Sequence, residues 1–267
     1  GPYGFTTSGF VGSDRFATAP TCAVSYSTTT PAGSYAIICS GAVQSDYQIT
    51  YAPVNLVVTP APLTVTADDM IVNHGDAIPT YTATATGFIN GDGFTTAPSC
   101  SSSYTPSASV GTLIISCRNA VSPNYNITYV TGTLRVGRPS LVITANAAVY
   151  VYGAAKSTLT YTITGLITGD HLTTLPSCTS GYNQGSGVGD YAITCYGAVI
   201  PNYDITYVDG NLTVNKRALT ITPVTQYLVY GDAPAAPSMN ANGFFAGDSF
   251  TVAPSCSAAY VQFGTPG

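Results

Sequence analysis

The chain has 267 residues, a net charge of −5 and only 7% charged residues, none of them glutamate; an average soluble protein has roughly 25%. The seven lysines and arginines form no basic patch, which argues against binding to nucleic acid or to an anionic membrane surface. No apolar run approaches the roughly 20 residues of a membrane span, and no signal peptide opens the sequence, so we expect an internal segment of a longer secreted chain.

A pattern of 78 residues recurs along the chain and carries cysteines in constant register, at Cys22, Cys100, Cys178 and Cys256. A fixed period of this length indicates an array of like modules. The repeats predict four segments: a partial repeat at 1–59 that lacks its first strand, complete repeats at 60–138 and 139–216, and a partial repeat at 217–267 that lacks its closing strands.

The predicted elements of the repeat at 60–138 are short strands separated by turns. β-branched and aromatic residues favour strands, whereas Gly, Pro and Asn favour turns. In chain order we predict a strand at 63–67, a turn at 73–76, a strand at 81–88, a turn at 90–93, strands at 95–104 and 111–117, and a final hairpin of 125–130 with 132–136. Turn signals every 8–12 residues are typical of a small sandwich. The predicted fold class is therefore all-β, a tandem array of small disulfide-stapled, β-sandwich-like modules.

The cysteines predict one disulfide in each of three repeats. The expected pairs are Cys22 with Cys39, Cys100 with Cys117, and Cys178 with Cys195, which leaves Cys256 without a partner before the sequence ends. A bridge that closes about 17 residues contributes roughly 3 kcal/mol in the chain-entropy model. Metal sites need clustered ligands, which do not recur here, so we expect no metal and no cofactor. Disulfides persist in oxidising compartments, which favours an extracellular location.

The joints between repeats, at 58–63, 136–141 and 214–219, contain no flexible Gly/Ser stretch, and two of the three contain proline. Proline restricts bending, so we expect the modules to form a stiff rod.

Five recurring motifs make the chain resemble the MBG repeat family. They are the strand Leu63–Ala67, the turns Tyr152-Gly153 and Tyr230-Gly231-Asp232, the segment 87–92 (GFINGD), the strand 188–195 (VGDYAITC), and the closing segments 201–208 (PNYDITYV) and 210–214 (GNLTV). The resemblance implies tandem β modules on the exterior of a bacterial cell, as in large adhesin-like surface proteins of the filamentous-haemagglutinin type. It provides no catalytic residues. The first repeat departs from the motif, since Gly12-Ser13-Asp14-Arg15 replaces the usual Asn-Gly-Asp-Gly.

A repeated motif, Tyr-x-Ile-Thr-Tyr, offers candidate contact residues. Its tyrosines are Tyr47, Tyr51, Tyr125, Tyr129, Tyr203 and Tyr207. A period of two places the motif's tyrosines and isoleucine on one face of a strand. Aromatic rows could bind sugar rings or a neighbouring filament. We favour core packing with the hydroxyl at the rim, because a module without tryptophan needs large residues in its core. Further recurring tyrosines are Tyr26, Tyr104, Tyr182 and Tyr260.

Other polar residues carry weaker signals. Four aspartates recur at one turn position, namely Asp14, Asp92, Asp170 and Asp248. Calcium needs six to eight oxygen ligands, so an Asx-type turn, in which the carboxylate bonds its own backbone, is the favoured interpretation. His74 and His171 do not recur and are expected to be surface turn residues. Asp68 and Asp69 could form a cation site with Asp76, although a solvated pair is favoured.

These observations favour a structural extracellular protein that forms a rigid stalk or filament, and no enzyme. An adhesin that binds glycans or matrix through the tyrosine rows is the alternative; a spacer within a secreted enzyme is a third, weaker one. Expected partners are copies of the chain joined end to end. The partial repeats favour a window cut from a longer array, with the alternative that the last repeat of one copy completes the first repeat of another.

Overall fold

Alternation of apolar and polar residues builds short strands throughout the part of the chain that the computed structural model describes, residues 3–259. Within that part there is no helix long and apolar enough to cross a membrane. The chain divides into two compact units, residues 1–137 and residues 138–267.

The first unit begins with the partial repeat, which contributes a single antiparallel sheet. Its strands, in the order β1-β2-β3, are β1 (Thr21–Ala23), β2 (Gly33–Ser40) and β3 (Val54–Val58).

The complete repeat of the first unit folds into two sheets. Its strands are β4 (Ala61–Ala67), β5 (Met70–Asn73), β6 (Ala83–Thr86), β7 (Ser99–Ser102), β8 (Gly111–Arg118), β9 (Tyr125–Val130) and β10 (Gly132–Gly137). One sheet has the order β6-β4-β9 and the other the order β5-β10-β8-β7. Strands β4 and β9 pair in parallel, as do β5 and β10, whereas the remaining neighbours are antiparallel.

The second unit repeats this arrangement and adds a hairpin from the last repeat. Its strands are β11 (Ser140–Ala145), β12 (Ala148–Val151), β13 (Tyr161–Thr164), β14 (Ser177–Ser180), β15 (Gly189–Tyr196), β16 (Asp204–Val208), β17 (Gly210–Asn215), β18 (Thr220–Pro223) and β19 (Met239–Asn242). The sheet orders are β13-β11-β16 and β12-β17-β15-β14, and β18 pairs with β19.

The core of each complete repeat lies between its two sheets. In the first unit, Val65 of β4 packs with Ile115 of β8 and Leu134 of β10, all three fully buried. Burying such side chains contributes about 1.5–3 kcal/mol each. Among the described residues 3–59 no strand packs on this sheet as β4 does in the complete repeat, and Ile37 and Leu56, which align with Ile115 and Leu134, are only half-buried.

The predicted disulfides are present and each joins directly opposed residues of adjacent antiparallel strands. The bonded pairs are Cys22–Cys39, Cys100–Cys117 and Cys178–Cys195, each with a sequence separation of 17. Cys100 and Cys117 pack against the apolar core of their repeat, so the bridge also fills core volume. Cys256 is a free, half-buried cysteine.

The predicted closing hairpin is wrong. Strands β9 and β10 are adjacent in sequence but belong to different sheets, because each pairs in parallel with an early strand of the repeat. Only Thr131 separates them, and a hairpin needs a loop of at least two residues. The chain therefore crosses from one sheet to the other at this residue.

Candidate functional site

The first tyrosine of each Tyr-x-Ile-Thr-Tyr motif is held against the turn that carries the recurring aspartate. In the second unit, the Tyr203 hydroxyl donates a hydrogen bond to Oδ2 of Asp170 at 2.5 Å and accepts one from the backbone N–H of Ile167 at 3.1 Å. The N–H of Asp170 in turn donates to the carbonyl of Ile167 at 3.1 Å, which closes the turn. We call this three-residue arrangement the tyrosine clamp.

The tyrosine clamp recurs in both repeats of the first unit. Tyr125 donates to Asp92 at 2.8 Å and accepts from the N–H of Ile89 at 3.0 Å. Tyr47 donates to Asp14 at 2.5 Å and accepts from the N–H of Val11 at 2.9 Å. Tyr125 and Tyr203 are 7% and 4% exposed, so their rings are core residues with the hydroxyl directed to the turn.

The clamp assigns the recurring aspartates a role that the Asx-turn hypothesis missed. A turn is present at the predicted place, but it is closed by a backbone bond from the Asp92 N–H to the Ile89 carbonyl at 3.0 Å and not by the carboxylate, as the Asx-turn hypothesis required. The Asp92 carboxylate accepts a hydrogen bond from the hydroxyl of Tyr125, 33 residues further along the chain. The signal in the sequence was the constant spacing between the aspartate and the first tyrosine in three successive repeats.

The clamp keeps its tyrosines protonated. Burial is the main cause that raises the pKa of Tyr203 and of Tyr125, and the hydrogen bond to the aspartate raises it further. At Tyr47 the hydrogen bond to Asp14 is the main cause of the raised pKa. A neutral phenol is the form that donates to a carboxylate, so each clamp is closed at neutral pH.

The second tyrosine of each motif fastens a different piece of backbone. The hydroxyls of Tyr51, Tyr129 and Tyr207 each accept the N–H of an alanine at 2.8 Å. These alanines follow the strand that carries the second cysteine. Tyr51 and Tyr129 are 41% and 36% exposed, so one side of each ring reaches the surface.

The tyrosine that lies four residues after the first cysteine is a third fastener. In the complete repeats Tyr104 and Tyr182 are buried. The Tyr104 hydroxyl shares its hydrogen bond between two carbonyls of the first turn, that of Asn73 at 3.1 Å and that of Asp76 at 2.9 Å. The Tyr182 hydroxyl donates to the carbonyl of Ala154 at 2.5 Å. Tyr26 is 46% exposed in the partial first repeat, and Tyr260 lies outside the described residues.

Comparison with known families agrees with this repeated architecture. The family model of the MBG domain (YGX type) matches three successive segments, residues 1–57, 63–135 and 141–213, which together make up more than half of the chain. The chain belongs to this MBG domain family. No curated protein matches it. Tandem MBG domains with disulfides indicate an extracellular or secreted repeat protein.

The remaining polar residues of the MBG repeats serve the fold. His74 is buried, at 5% exposure, and its Nδ1 lies 2.8 Å from the carbonyl oxygen of Ala108, so the prediction of a surface position is wrong. A long-range contact across the repeat, which a local pattern does not reveal, covers this turn. His171 is exposed, as predicted.

Asp68, Asp69 and Asp76 each accept a separate hydrogen bond. The donors are the Thr84 hydroxyl at 2.8 Å, the Thr133 N–H at 2.6 Å and the Asn73 N–H at 2.7 Å, respectively. Hydrogen bonds from Thr82 and Thr84 lower the pKa of Asp68. Among residues 3–259, no group of three or more His, Cys, Asp or Glu side chains is placed to hold a metal ion.

Proposed function

We propose that this segment is a non-enzymatic structural element of a bacterial surface or secreted protein, in which tandem MBG modules form a rigid connector. The observation that carries the proposal is the recurrence of one fastening scheme in successive repeats. In each of three repeats the two motif tyrosines, the turn aspartate and the disulfide all connect parts of the same module.

The chemistry of these groups supports a mechanical role. Active sites contain titratable groups with shifted pKa values that face a cleft and a reacting atom. Here the shifted pKa values of the clamp tyrosines arise from burial and from bonds that close turns. Short joints and cross-strand disulfides are features that limit the bending and extension of a module array.

The proposal of a rigid connector can be tested by negative-stain electron microscopy of the full chain under non-reducing conditions. A connector gives elongated particles of uniform length, and association of copies end to end adds filaments with a regular axial repeat. Round particles, or elongated particles with freely varying bends, would contradict the proposal.

The partial exposure of Tyr51 and Tyr129 supports a second candidate, an adhesin whose tyrosine rows stack on sugar rings or matrix proteins. Glycan-array and matrix-protein binding should be compared between the wild-type chain and the triple variant Tyr51→Ala/Tyr129→Ala/Tyr207→Ala. Tyr196→Ala is the matched control, because Tyr196 is 54% exposed and lies outside the rows. Because these tyrosines also bond to backbone, the triple variant is compared at wild-type circular dichroism. Binding that this folded triple variant alone loses would establish the adhesin; no binding by the wild-type chain would reject it.

A further inference from the structure

Successive repeats contact each other within each unit. In the first unit, Nδ2 of Asn90 donates to the carbonyl of Thr28 at 3.0 Å, and the N–H of Ala32 donates to Oδ1 of Asn124 at 3.0 Å. In the second unit, the ring of Phe245 packs edge-on against Tyr152 with centroids 5.8 Å apart. These contacts join the partial and complete repeats within each unit.

The two joints use corresponding surfaces. Each later repeat contributes its aspartate turn, residues 89–92 in the first unit and 245–248 in the second, which occupy the same place in the 78-residue pattern. Each earlier repeat contributes the loop between its two cysteine strands, residues 27–32 and 183–188. In both units the aspartate turn therefore meets the cysteine loop of the preceding repeat, through a hydrogen bond of Asn90 in the first unit and through Phe245 near Gly185 in the second.

Gly153, in the Tyr-Gly turn of the earlier repeat, forms a notch at the second joint. A β-carbon built on Gly153 would lie 2.5 Å from Cδ2 and 2.8 Å from Cγ of Phe245. Gly185, in the adjacent loop, lies similarly close, since its β-carbon would be 3.3 Å from Cε1 of the same ring. The Tyr152 hydroxyl also donates to Oδ1 of Asp248 at 3.2 Å. The ring of Phe245 therefore occupies the space where a side chain on Gly153 would be.

Backbone conformation alone does not account for this close fit. Gly153 has φ +81° and Gly197 of the same repeat has φ +80°, so both favour glycine. A β-carbon on Gly197, however, would meet nothing within 4 Å. The notch at Gly153 thus has a steric reason in addition to the conformational one.

We propose that the Tyr-Gly turn is a socket for the following repeat, and that the apolar residue three positions before the turn aspartate is the plug. The partner is another MBG repeat, and this position holds an apolar residue in every repeat: Val11, Ile89, Ile167 and Phe245. Phe245 is half-buried in its socket, whereas Ile89, at the same position of the pattern, is 54% exposed. Docking fixes the joint between the two repeats. The further step, that this fixed joint stiffens a connector, rests on the proposed function.

Spin-label distance measurements on the full oxidised chain test the socket. One label is placed on the free Cys256 and the other on a Thr164→Cys variant, since Thr164 is exposed on β13. A docked joint gives one narrow distance peak. We expect Phe245→Ala and Gly153→Ala to lose this peak and Phe245→Leu, which retains a plug, to keep it.

Gly197→Ala is the matched control for Gly153→Ala, because it introduces the same backbone strain without a steric neighbour. It is expected to keep the narrow peak. A narrow peak in Phe245→Ala, or equal peaks in the two glycine variants, would overturn the socket. If Gly153→Ala fails to fold, Phe245→Ala still decides the question, because Phe245 belongs to the later repeat and not to the repeat that contains Gly153. A narrow wild-type peak combined with particles that are not elongated would reject the connector and leave the socket standing.

Discussion

The hydroxyl of a clamp tyrosine makes two bonds that phenylalanine could not make. Tyr203 donates to the Asp170 carboxylate and accepts the N–H of Ile167, so one oxygen satisfies both ends of the turn. A hydrogen bond to a charged group contributes about 1.5–3 kcal/mol, more than a neutral one. The clamp thus fastens a surface turn to a ring that is itself buried in the core.

Tyr203→Phe removes the hydroxyl and keeps the ring, so it isolates the clamp. We expect a loss of about 2 kcal/mol in the free energy of unfolding of this repeat, since Asp170 and Ile167 both lose their bond to the phenol. Urea denaturation under non-reducing conditions measures the change. Tyr196→Phe is the control and is expected to change stability by less than about 0.5 kcal/mol, because Tyr196 is 54% exposed. Equal effects of the two substitutions would show that the clamp adds no stability.

The raised pKa values of Tyr47, Tyr125 and Tyr203 predict a loss of stability at alkaline pH. Below about pH 10 the phenols are protonated in both the folded and the unfolded chain, so they add no pH dependence. Above that value the unfolded chain releases its protons first, and stability falls as pH rises through the folded pKa.

Denaturation midpoints measured across the alkaline range test this expectation. The slope of stability against pH should be smaller in Tyr203→Phe than in the wild-type chain, because one phenol with a raised pKa is gone. Spectroscopic titration of phenolate absorbance should show, in parallel, the loss of one late-titrating tyrosine. An unchanged slope would mean that Tyr203 titrates alike in the folded and unfolded states.

At the scale of the element, local pattern predicted most strands but not their partners. Strand β9 has the predicted bounds, 125–130, because its alternation is regular, although burial on its inward face decreases from Tyr125 to Tyr129. The parallel pairing of β4 with β9 was missed, since it joins residues about 64 positions apart and leaves no local trace. The short strand β5 was missed for the same reason, because it exists through its pairing with β10.

The candidate site shows the same division between local and long-range information. The tyrosine motifs and the recurring aspartates were visible as separate patterns, but their hydrogen bonds span 33 residues. The burial of His74 likewise depends on a contact with Ala108, 34 residues away. Only the disulfides could be assigned as pairs, because the repeat register left one consistent pairing.

At the end of the strand that pairs with the first strand of a repeat, glycine permits close approach of the backbone. Gly87 follows β6 with φ +116°, and a β-carbon on it would lie 2.7 Å from the Pro62 carbonyl oxygen and 3.3 Å from the Leu63 Cα. Gly165 meets the Ser140 carbonyl, and Gly243 the Ala218 carbonyl, in the same way. In the complete repeats the carbonyl belongs to the residue just before a buried leucine, Leu63 or Leu141, so this glycine brings the two paired strands close together at that end.

Gly87→Ala should therefore lower the free energy of unfolding of the first complete repeat by more than the conformational penalty alone would. A left-handed alanine costs about 1–2 kcal/mol and an alanine at φ +116° costs at least that, while the contact with the Pro62 carbonyl adds about 1–3 kcal/mol of overpacking. Gly91→Ala is the control, because Gly91 has φ +76° and a β-carbon on it would meet nothing within 4 Å. Urea midpoints of the two variants provide the comparison, and similar midpoints would argue against a steric role for Gly87.

At the scale of the whole molecule, the chain holds two compact units, each with one complete repeat and its own buried core. Two such units need not unfold in one two-state transition, so each stability change predicted above refers to the transition of the unit that carries the substitution. The disulfides suit such a measurement, because each closes a loop inside one repeat.

Removal of one disulfide should destabilise only the unit that contains it. For Cys178→Ala/Cys195→Ala we expect the unfolding transition of residues 138–267 to lose about 3 kcal/mol, while that of residues 1–137 stays in place. The reason is that the bridge restricts the unfolded chain of its own repeat and also packs into the core of that repeat.

Calorimetry of the oxidised protein should separate the two transitions. Cys256→Ser is the control and should leave both unchanged, since this cysteine is free. If both transitions shifted together in the double variant, the units would be thermodynamically coupled, and the disulfide would stabilise the chain as a whole.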